Sequence, residues 1–151
     1  MDINGEFTIE APQQRVWEAL NDPLVLKQCI PGCQSIDKIS DTEFDTKMQA
    51  KIGPVKANFT SNIVLSELLP PHSYTISGQG KGGPAGFGKG SAHVKLEEVP
   101  EGTLLSYTAD LQVGGKLAQI GSRLVGSAAK KIANDFFSVF AELVVEDSDN
   151  P

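Results

Sequence analysis

The segment from Lys116 to Val145 constrains the fold more than any other part of this sequence, because its apolar residues recur at helical spacing. At about 100° per residue, apolar and small residues fall on one side of a single long helix, while Arg123, Lys130 and Asn134 fall on the other. A helix of this length needs a broad surface to cover. Alternating strand patterns precede it, so we predict that it packs across the concave face of a curved antiparallel sheet.

The inward side of this helix is graded in side-chain size. Its first half carries small residues, including Ala128 and Ala129, and its second half carries bulky ones, including Phe136 and Phe140. Small residues either allow the helix to pack closely or leave space for a bound molecule. The sequence leaves both interpretations open.

The remaining elements are predicted from turn residues and from the period of the apolar residues. A strand at 3–9 is followed by a short helix at 11–20 that Pro12 opens, and by a second helix from Asp22 to Cys29. From there the apolar period changes from 3.6 to 2. Strands are predicted at 43–52, 55–65, 73–79, 87–98 and 103–113. The order is strand, two helices, about six strands and a long helix, which predicts an α+β protein whose curved sheet has about seven strands.

Length and charge exclude several classes of protein. A chain of 151 residues predicts a single domain, at 1–145, with an acidic flexible tail at 146–151. The net charge of −6 and the spread of basic residues along the sequence argue against nucleic-acid binding. There is no secretory signal pattern, and no apolar run approaches the ~20 residues that span a bilayer. We therefore predict a cytoplasmic location, with membrane contact that is at most peripheral, at the inner face.

The glycine-rich segment from Gly78 to Gly90 contains a G-x-G-x-x-G pattern and nearly a phosphate-binding loop. Such loops work because backbone amides and a following helix N-terminus converge on the anion, whereas here a strand follows. We interpret the segment as a hairpin whose glycines lie where strands bend around a helix, or where a ligand approaches the backbone.

No metal, cofactor or catalytic group is predicted. Cys29 and Cys33 are separated by three residues, which fits neither a redox C-x-x-C motif nor a complete zinc set, so they are expected to be reduced thiols beside a tight turn. His72 and His93 lie in unrelated strand segments and lack ligand spacing. No G-x-S-x-G nucleophile element is present.

Three parts of the sequence carry a family resemblance, namely the segment Leu26–Cys33, the glycine-rich hairpin, and the long-helix residues 119–124, 128–130 and 136–137. They resemble the family of the carbon monoxide dehydrogenase G subunit, which belongs to the SRPBCC superfamily. The resemblance implies a helix-grip fold and a non-catalytic accessory protein of a molybdenum hydroxylase of the carbon monoxide dehydrogenase type. It also implies a role in recruiting that enzyme to the membrane, and an apolar ligand such as a quinone or a lipid.

In the helix-grip fold the long helix closes a cavity against the sheet, so the resemblance implies which residues would contact a ligand. These are Pro31, Phe59, Ile63, Phe87, Tyr107, Leu111, Val125, Ala128, Ala129 and Ile132. Such a lining would suit an apolar or amphipathic molecule, because burial of apolar surface contributes ~25 cal/mol per Å² and few fixed charges are present. The hydroxylase would be contacted through Ile120, Arg123 and Leu124.

Two alternatives remain. In the first, the core is filled and the protein acts only as an interaction adaptor through its surface. In the second, the protein is an enzyme of the cyclase or hydrolase type, as some helix-grip relatives are. That interpretation requires a pair of buried ionisable side chains facing the cavity, which the sequence does not identify.

Overall fold

The computed structural model describes residues 1–149. The elements in chain order are β1 Asp2–Ile9, α1 Gln13–Leu20, α2 Pro23–Cys29, β2 Cys33–Ser40, β3 Glu43–Ile52, β4 Val55–Leu69, β5 Ser73–Lys81, a 3₁₀ turn Gly83–Ala85, β6 Phe87–Val99, β7 Gly102–Gly114, α3 Lys116–Gln119 and α4 Ser122–Asp149. The second short helix begins as predicted, with the Asp22 side chain accepting a hydrogen bond from the Leu24 amide at 2.9 Å.

The seven strands form one antiparallel sheet in the order β1-β7-β6-β5-β4-β3-β2. Strands β2 to β7 follow one another as a meander, while β1 pairs with β7 and forms one edge. The two short helices carry the chain from β1 to β2 at the opposite edge. The predicted α+β class, the number of about six strands after the helix pair and the C-terminal helix are confirmed, while β2 lies in a segment for which no strand range was predicted.

The prediction of one continuous helix from Lys116 was wrong. The structure has the short helix α3, a break at Ile120–Gly121, and then α4. Gly121 has φ +94°, in the left-handed region that side-chain-bearing residues rarely adopt, and such a glycine ends a helix. The α4 backbone continues to Asp149, past the predicted end at Val145, and residues 150–151 of the predicted tail lie outside the described residues.

One filled hydrophobic core lies between the sheet, the two short helices and the second half of α4. We call it the main core. Its fully buried side chains include Phe44, Leu105 and Phe140, which are at most 1% exposed. Phe137 of α4 stacks on Phe7 of β1 with ring centroids 4.4 Å apart. The bulky half of α4 therefore packs closely, as its side-chain size predicts.

A second, smaller core lies at the other end of the sheet. It is centred on Phe59, Ala85 and Leu117, with partly buried side chains of β3, β4 and β7 around them. Leu117 is 2% exposed, so α3 is held in place by inserting this side chain. We call this cluster the small core. The two cores share no residue.

Candidate functional site

The inner face of the sheet lacks side chains in its centre. Residues opposite each other in an antiparallel ladder share a face, and Ile63, which packs against the main core, pairs with Gly78. Gly78 pairs with Gly90, and the next inward pair is Gly80 with Gly88. Four inward positions on β5 and β6 are thus glycine, and they form a low floor beneath α4.

Between the two cores lies a set of inward or helix-face apolar residues that belong to neither. Six of them are half-buried, namely Ala92, Ala109, Leu111, Ala128, Ala129 and Ile132, whereas Ile3 of β1 and Val125 of α4 are buried. Solvent therefore reaches part of the space between the glycine floor and the first half of α4. We call this space the inner cleft.

The end of the sheet that holds the small core also carries an open depression of about 640 Å³. Pairing between β4 and β5 starts only at Thr60 and Lys81, so residues 55–59 of β4 have no β5 partner. The 3₁₀ turn lies opposite this unpaired stretch, and the depression lies between the two. We call this end of the molecule the mouth end; it comprises the β3–β4 turn, the 3₁₀ turn, α3 and the start of α4.

Most of the predicted ligand residues lie together. Ile63, Tyr107 and Leu111 are on the inner face of the sheet, and Val125, Ala128, Ala129 and Ile132 are on the facing side of α4. Phe59 is 8% exposed and belongs to the small core. Pro31 is half-buried in the loop between α2 and β2, which is fixed to β3 by the Gln49 amide donating to the Gly32 carbonyl at 3.0 Å.

Phe87 does not line the inner cleft, contrary to prediction. Its neighbour Gly88 is inward, so alternation turns Phe87 to the outer face, where it is 48% exposed and covers Gly114. The start of β6 is rich in glycine and has no alternation of apolar and polar residues, so the face of the sheet on which Phe87 lies could not be predicted. The glycine floor itself went unpredicted, although the spacing of Gly78 with Gly80, and of Gly88 with Gly90, indicates a shared face.

Tyr107 supplies a polar group at the edge of the inner cleft. Its ring lies over Gly5 of β1, where an added Cβ would stand 2.8 Å from the Tyr107 Cε1 atom. The ring centroids of Tyr107 and Phe137 are 6.2 Å apart. Desolvation raises the pKa of the Tyr107 phenol above its ordinary value of 10.0, so the hydroxyl stays protonated near neutral pH. Within the described residues this hydroxyl makes no hydrogen bond. It can therefore donate one to a ligand.

The three residues predicted to contact a partner lie together at the mouth end. The Cδ1 atoms of Ile120 and Leu124 lie 3.6 Å and 3.8 Å from the point where a Cβ on Gly53 would stand, so both side chains border the β3–β4 turn. Leu124 is 49% exposed, and Arg123 is exposed beside it.

Ionisable groups are scarce inside the described part of the molecule. The buried polar residues there are Gln13, Thr46, Ser73 and Thr103. Among buried groups that titrate, burial raises the pKa of the Cys29 thiol to about 11 and also raises that of the Tyr74 phenol. Among the side chains of residues 1–145, no group of three His, Cys, Asp or Glu residues is placed to hold a metal ion. Nor does that part of the chain contain a helix long and apolar enough to cross a membrane.

The outer face of the sheet holds a different depression, of about 360 Å³, over the same central strands. Its lining is mixed, with Val64 beside the polar Asn62, Gln79, Lys89 and Gln112. Asn62 donates hydrogen bonds to the carboxylates of Glu43 and Asp45, at 3.2 Å and 2.9 Å. This groove lies on the opposite side of the sheet from the inner cleft and shares none of its side chains.

A curved seven-stranded antiparallel sheet that holds a long C-terminal helix, with two short helices after the first strand, defines the helix-grip fold of the SRPBCC superfamily. Solved structures share it. A conserved protein from Geobacillus kaustophilus is 32% identical, with 97% of this chain and 96% of that chain covered and a TM-score of 0.91. A protein from Chromobacterium violaceum is 16% identical (95% and 96% covered, TM-score 0.73). The ZhuI aromatase/cyclase from Streptomyces sp. R1128 is 13% identical (95% and 93% covered, TM-score 0.69).

The family model of the carbon monoxide dehydrogenase G subunit (CoxG) matches residues 5–145, and this chain belongs to that family. Among curated proteins no relative matches.

Proposed function

We propose that this protein is a non-catalytic accessory protein of a molybdenum hydroxylase of the carbon monoxide dehydrogenase type, and that it binds an apolar molecule in the inner cleft. The single observation that carries the binding proposal is the half-buried apolar lining between the two cores. Membership of the CoxG family supports the accessory role and the class of partner enzyme.

The lining indicates the chemistry of the ligand. Leu111, Ile132 and the alanines around them offer apolar surface, whose burial against a ligand contributes about 25 cal/mol per Å². The Tyr107 hydroxyl adds one hydrogen-bond donor at the cleft edge. A suitable ligand is therefore a largely apolar molecule that carries an acceptor oxygen, as a quinone or a lipid does.

The proposed role includes the membrane, because quinones and lipids reside there. The protein would take up its ligand at the inner membrane face through peripheral contact and help to recruit the hydroxylase to the same place. Contact with the hydroxylase would use Ile120, Arg123 and Leu124, which form one accessible surface at the mouth end.

Catalysis of the cyclase type gains no specific support. The likeness to the ZhuI aromatase/cyclase, at 13% identity, concerns the fold. Among the described residues, the buried hydroxyls on the inner face belong to Thr46, Thr103 and Tyr74. The threonines do not titrate in the range that acid–base catalysis uses, and burial moves the pKa of Tyr74 further above that range.

Ligand binding is tested by mass spectrometry of protein purified without detergent. Native spectra are compared with denaturing spectra of an organic extract, before and after incubation with micromolar quinones and fatty acids. We expect one apolar molecule per chain. Wild-type protein that remains free of ligand throughout would contradict the binding proposal and favour the adaptor with a closed cleft.

The position of the ligand is tested by filling the cleft floor. A Cβ at Gly78 would meet its nearest neighbours at 3.6 Å and 3.9 Å, which is ordinary contact, so Gly78→Ile is expected to fold and to abolish uptake. Ser77→Ile, one residue away on the outer face, is the matched control and should bind as the wild type does. Equal uptake by both variants would place the ligand outside the inner cleft.

The partner contact is tested separately by pull-down of the hydroxylase. Arg123→Glu is expected to weaken capture, because it reverses the charge at the centre of the proposed surface. Undiminished capture would show that the hydroxylase binds elsewhere.

A further inference from the structure

Basic residues are strongly segregated in this acidic protein. The segments 47–60, 78–91 and 111–131 contain nine of the 13 Lys and Arg residues and none of the 19 Asp and Glu residues. These nine are Lys47, Lys51, Lys56, Lys81, Lys89, Lys116, Arg123, Lys130 and Lys131. Along the sequence the three segments are far apart, so the segregation is a property of the fold.

The sheet brings the three segments to the mouth end. Lys51 pairs with Lys56 across the β3–β4 turn, and Thr60 of β4 pairs with Lys81 at the end of β5. Phe87, opposite Lys81, pairs in turn with Gly114, just before α3 and the start of α4. Five of the nine, Lys51, Lys56, Lys81, Lys116 and Arg123, therefore lie at the mouth end itself and give it a high local positive charge on a chain with net charge −6. Lys47 and Lys89 lie further along the outer face of the sheet, and Lys130 and Lys131 lie further along α4.

These charges are available to a partner. All nine side chains are exposed. Among the side chains of residues 1–145, Lys131 forms an ion pair with Asp135 at 2.8 Å, and the other eight form none.

Apolar side chains emerge among the same charges. Leu124 is 49% exposed and Phe87 is 48% exposed, and the turns beside them carry the exposed Pro54 and Pro84. A bilayer surface has anionic headgroups above an apolar interior. The basic side chains of the mouth end can contact the headgroups while the exposed apolar side chains among them insert into the interior.

We propose that the mouth end is the surface on which this protein docks to a lipid bilayer that contains anionic headgroups. The type of cation favours lipid over an acidic protein, because eight of the nine residues are Lys, which protein–protein interfaces disfavour, and one is Arg, which they favour. Each Lys near an anionic membrane is attracted to it, whereas the acidic remainder of the chain is repelled, so the protein is oriented with its mouth end towards the lipid.

The proposal rests on the proposed function in one respect, namely that an apolar ligand binds in the inner cleft. Docking by the mouth end would then give that ligand a direct path between the bilayer and the cleft. It also has a consequence for the partner enzyme. Ile120, Arg123 and Leu124 lie at the same end, so bilayer and hydroxylase would be contacted in turn and not together.

The docking surface is tested by co-sedimentation of the full chain with vesicles of phosphatidylcholine alone and of phosphatidylcholine with phosphatidylglycerol. We expect binding to the anionic vesicles that weakens as salt is added. Lys51→Gln/Lys81→Gln is expected to bind on the order of 30-fold more weakly, from about 1 kcal/mol for each Lys removed. The control Lys38→Gln/Lys95→Gln changes the net charge equally at the opposite end and should bind no more weakly than the wild type.

Equal loss in the two double variants, or equal binding to both kinds of vesicle, would overturn the proposal. Wild-type protein that binds neither kind would also overturn it and would make an acidic protein the partner of this end. Ligand uptake in vesicle-free solution separates this proposal from the proposed function. Gly78→Ile should keep vesicle binding while losing uptake, and Lys51→Gln/Lys81→Gln should do the reverse.

Discussion

Two leucines on one strand provide the sharpest test of the open inner cleft. Leu105 and Leu111 are both inward on β7, and replacing either by Ala removes the same atoms. Leu105 is 0% exposed within the main core, whereas Leu111 is half-buried and belongs to neither core. Any difference in the stability of the two variants therefore reports how well each site is packed.

The expected magnitudes follow from that packing. Leu105→Ala leaves a cavity in a filled core, so the free energy of unfolding should fall by about 2–5 kcal/mol. Leu111→Ala removes groups that are already partly exposed, so it loses less transfer free energy, about 1–2 kcal/mol, and creates no new cavity because solvent already reaches the site. The cavity left by Leu105→Ala is expected to separate the two variants by about 1 kcal/mol or more.

The assay is equilibrium unfolding in urea, followed by the fluorescence of the single Trp17. This residue is 8% exposed and packs edge-to-face on Tyr74 at 5.4 Å, so its emission should respond to loss of the main core. Each midpoint shift, multiplied by the common slope, gives the loss of stability. If Leu111→Ala costs as much as Leu105→Ala, the space between the cores is filled and the cleft reasoning is refuted.

Four further predictions address other groups. Tyr107→Phe should weaken binding of a quinone, because it removes the donor at the cleft edge, while binding of a hydrocarbon of similar size stays unchanged in the same titration. With a thiol-reactive chromophore at pH 8, half-buried Cys33 should react before Cys29, although burial raises the pKa of both thiols, and Cys29 should react only as the protein unfolds; two equally fast thiols would contradict the placement of Cys29. The folded-state pKa of Cys29 is about 11, above its ordinary 9.0, so its contribution to stability should be complete below pH 9.0 and decline as pH rises towards 11. In urea unfolding, Cys29→Ala should therefore lose less stability than the wild type between these two pH values. Thr103→Val removes the donor to the buried Ala11 carbonyl at 2.7 Å and should cost about 1–3 kcal/mol in urea unfolding, and no loss would show that the carbonyl finds another donor.

Secondary structure was predictable where one periodicity dominated. The alternation of 43–52 and the helical spacing of the second half of α4 both reflect contact with a single apolar layer, and both predictions hold. The break before Ser122 was not predictable, because Gly121 is compatible with two structures. As a small residue it can lie inside a helix, and as a flexible residue it can end one by adopting a left-handed conformation. Only the contact of Leu117 with the small core decides between them.

The candidate site was predictable in part for a related reason. Tyr107, Leu111 and Ile132 could be assigned to an inner face, since each lies in an element of clear period. Whether other side chains fill the space over that face depends on how the two separate cores form around it. No local sequence pattern predicts this arrangement. The cationic mouth end was missed because the basic residues look scattered along the chain and are gathered only by strand pairing.

The glycine floor allows the volume of the inner cleft to be changed by substitution. Gly78 and Gly88 each have ordinary contact distance to their neighbours, so a side chain could be accepted at either position without displacing backbone. Each added methyl group would take its own volume from the cleft while the hydrogen-bond ladder between β5 and β6 stays intact. The size of the proposed ligand could therefore change by single substitutions, one carbon at a time, in a scaffold whose strands, helices and mouth end remain unaltered.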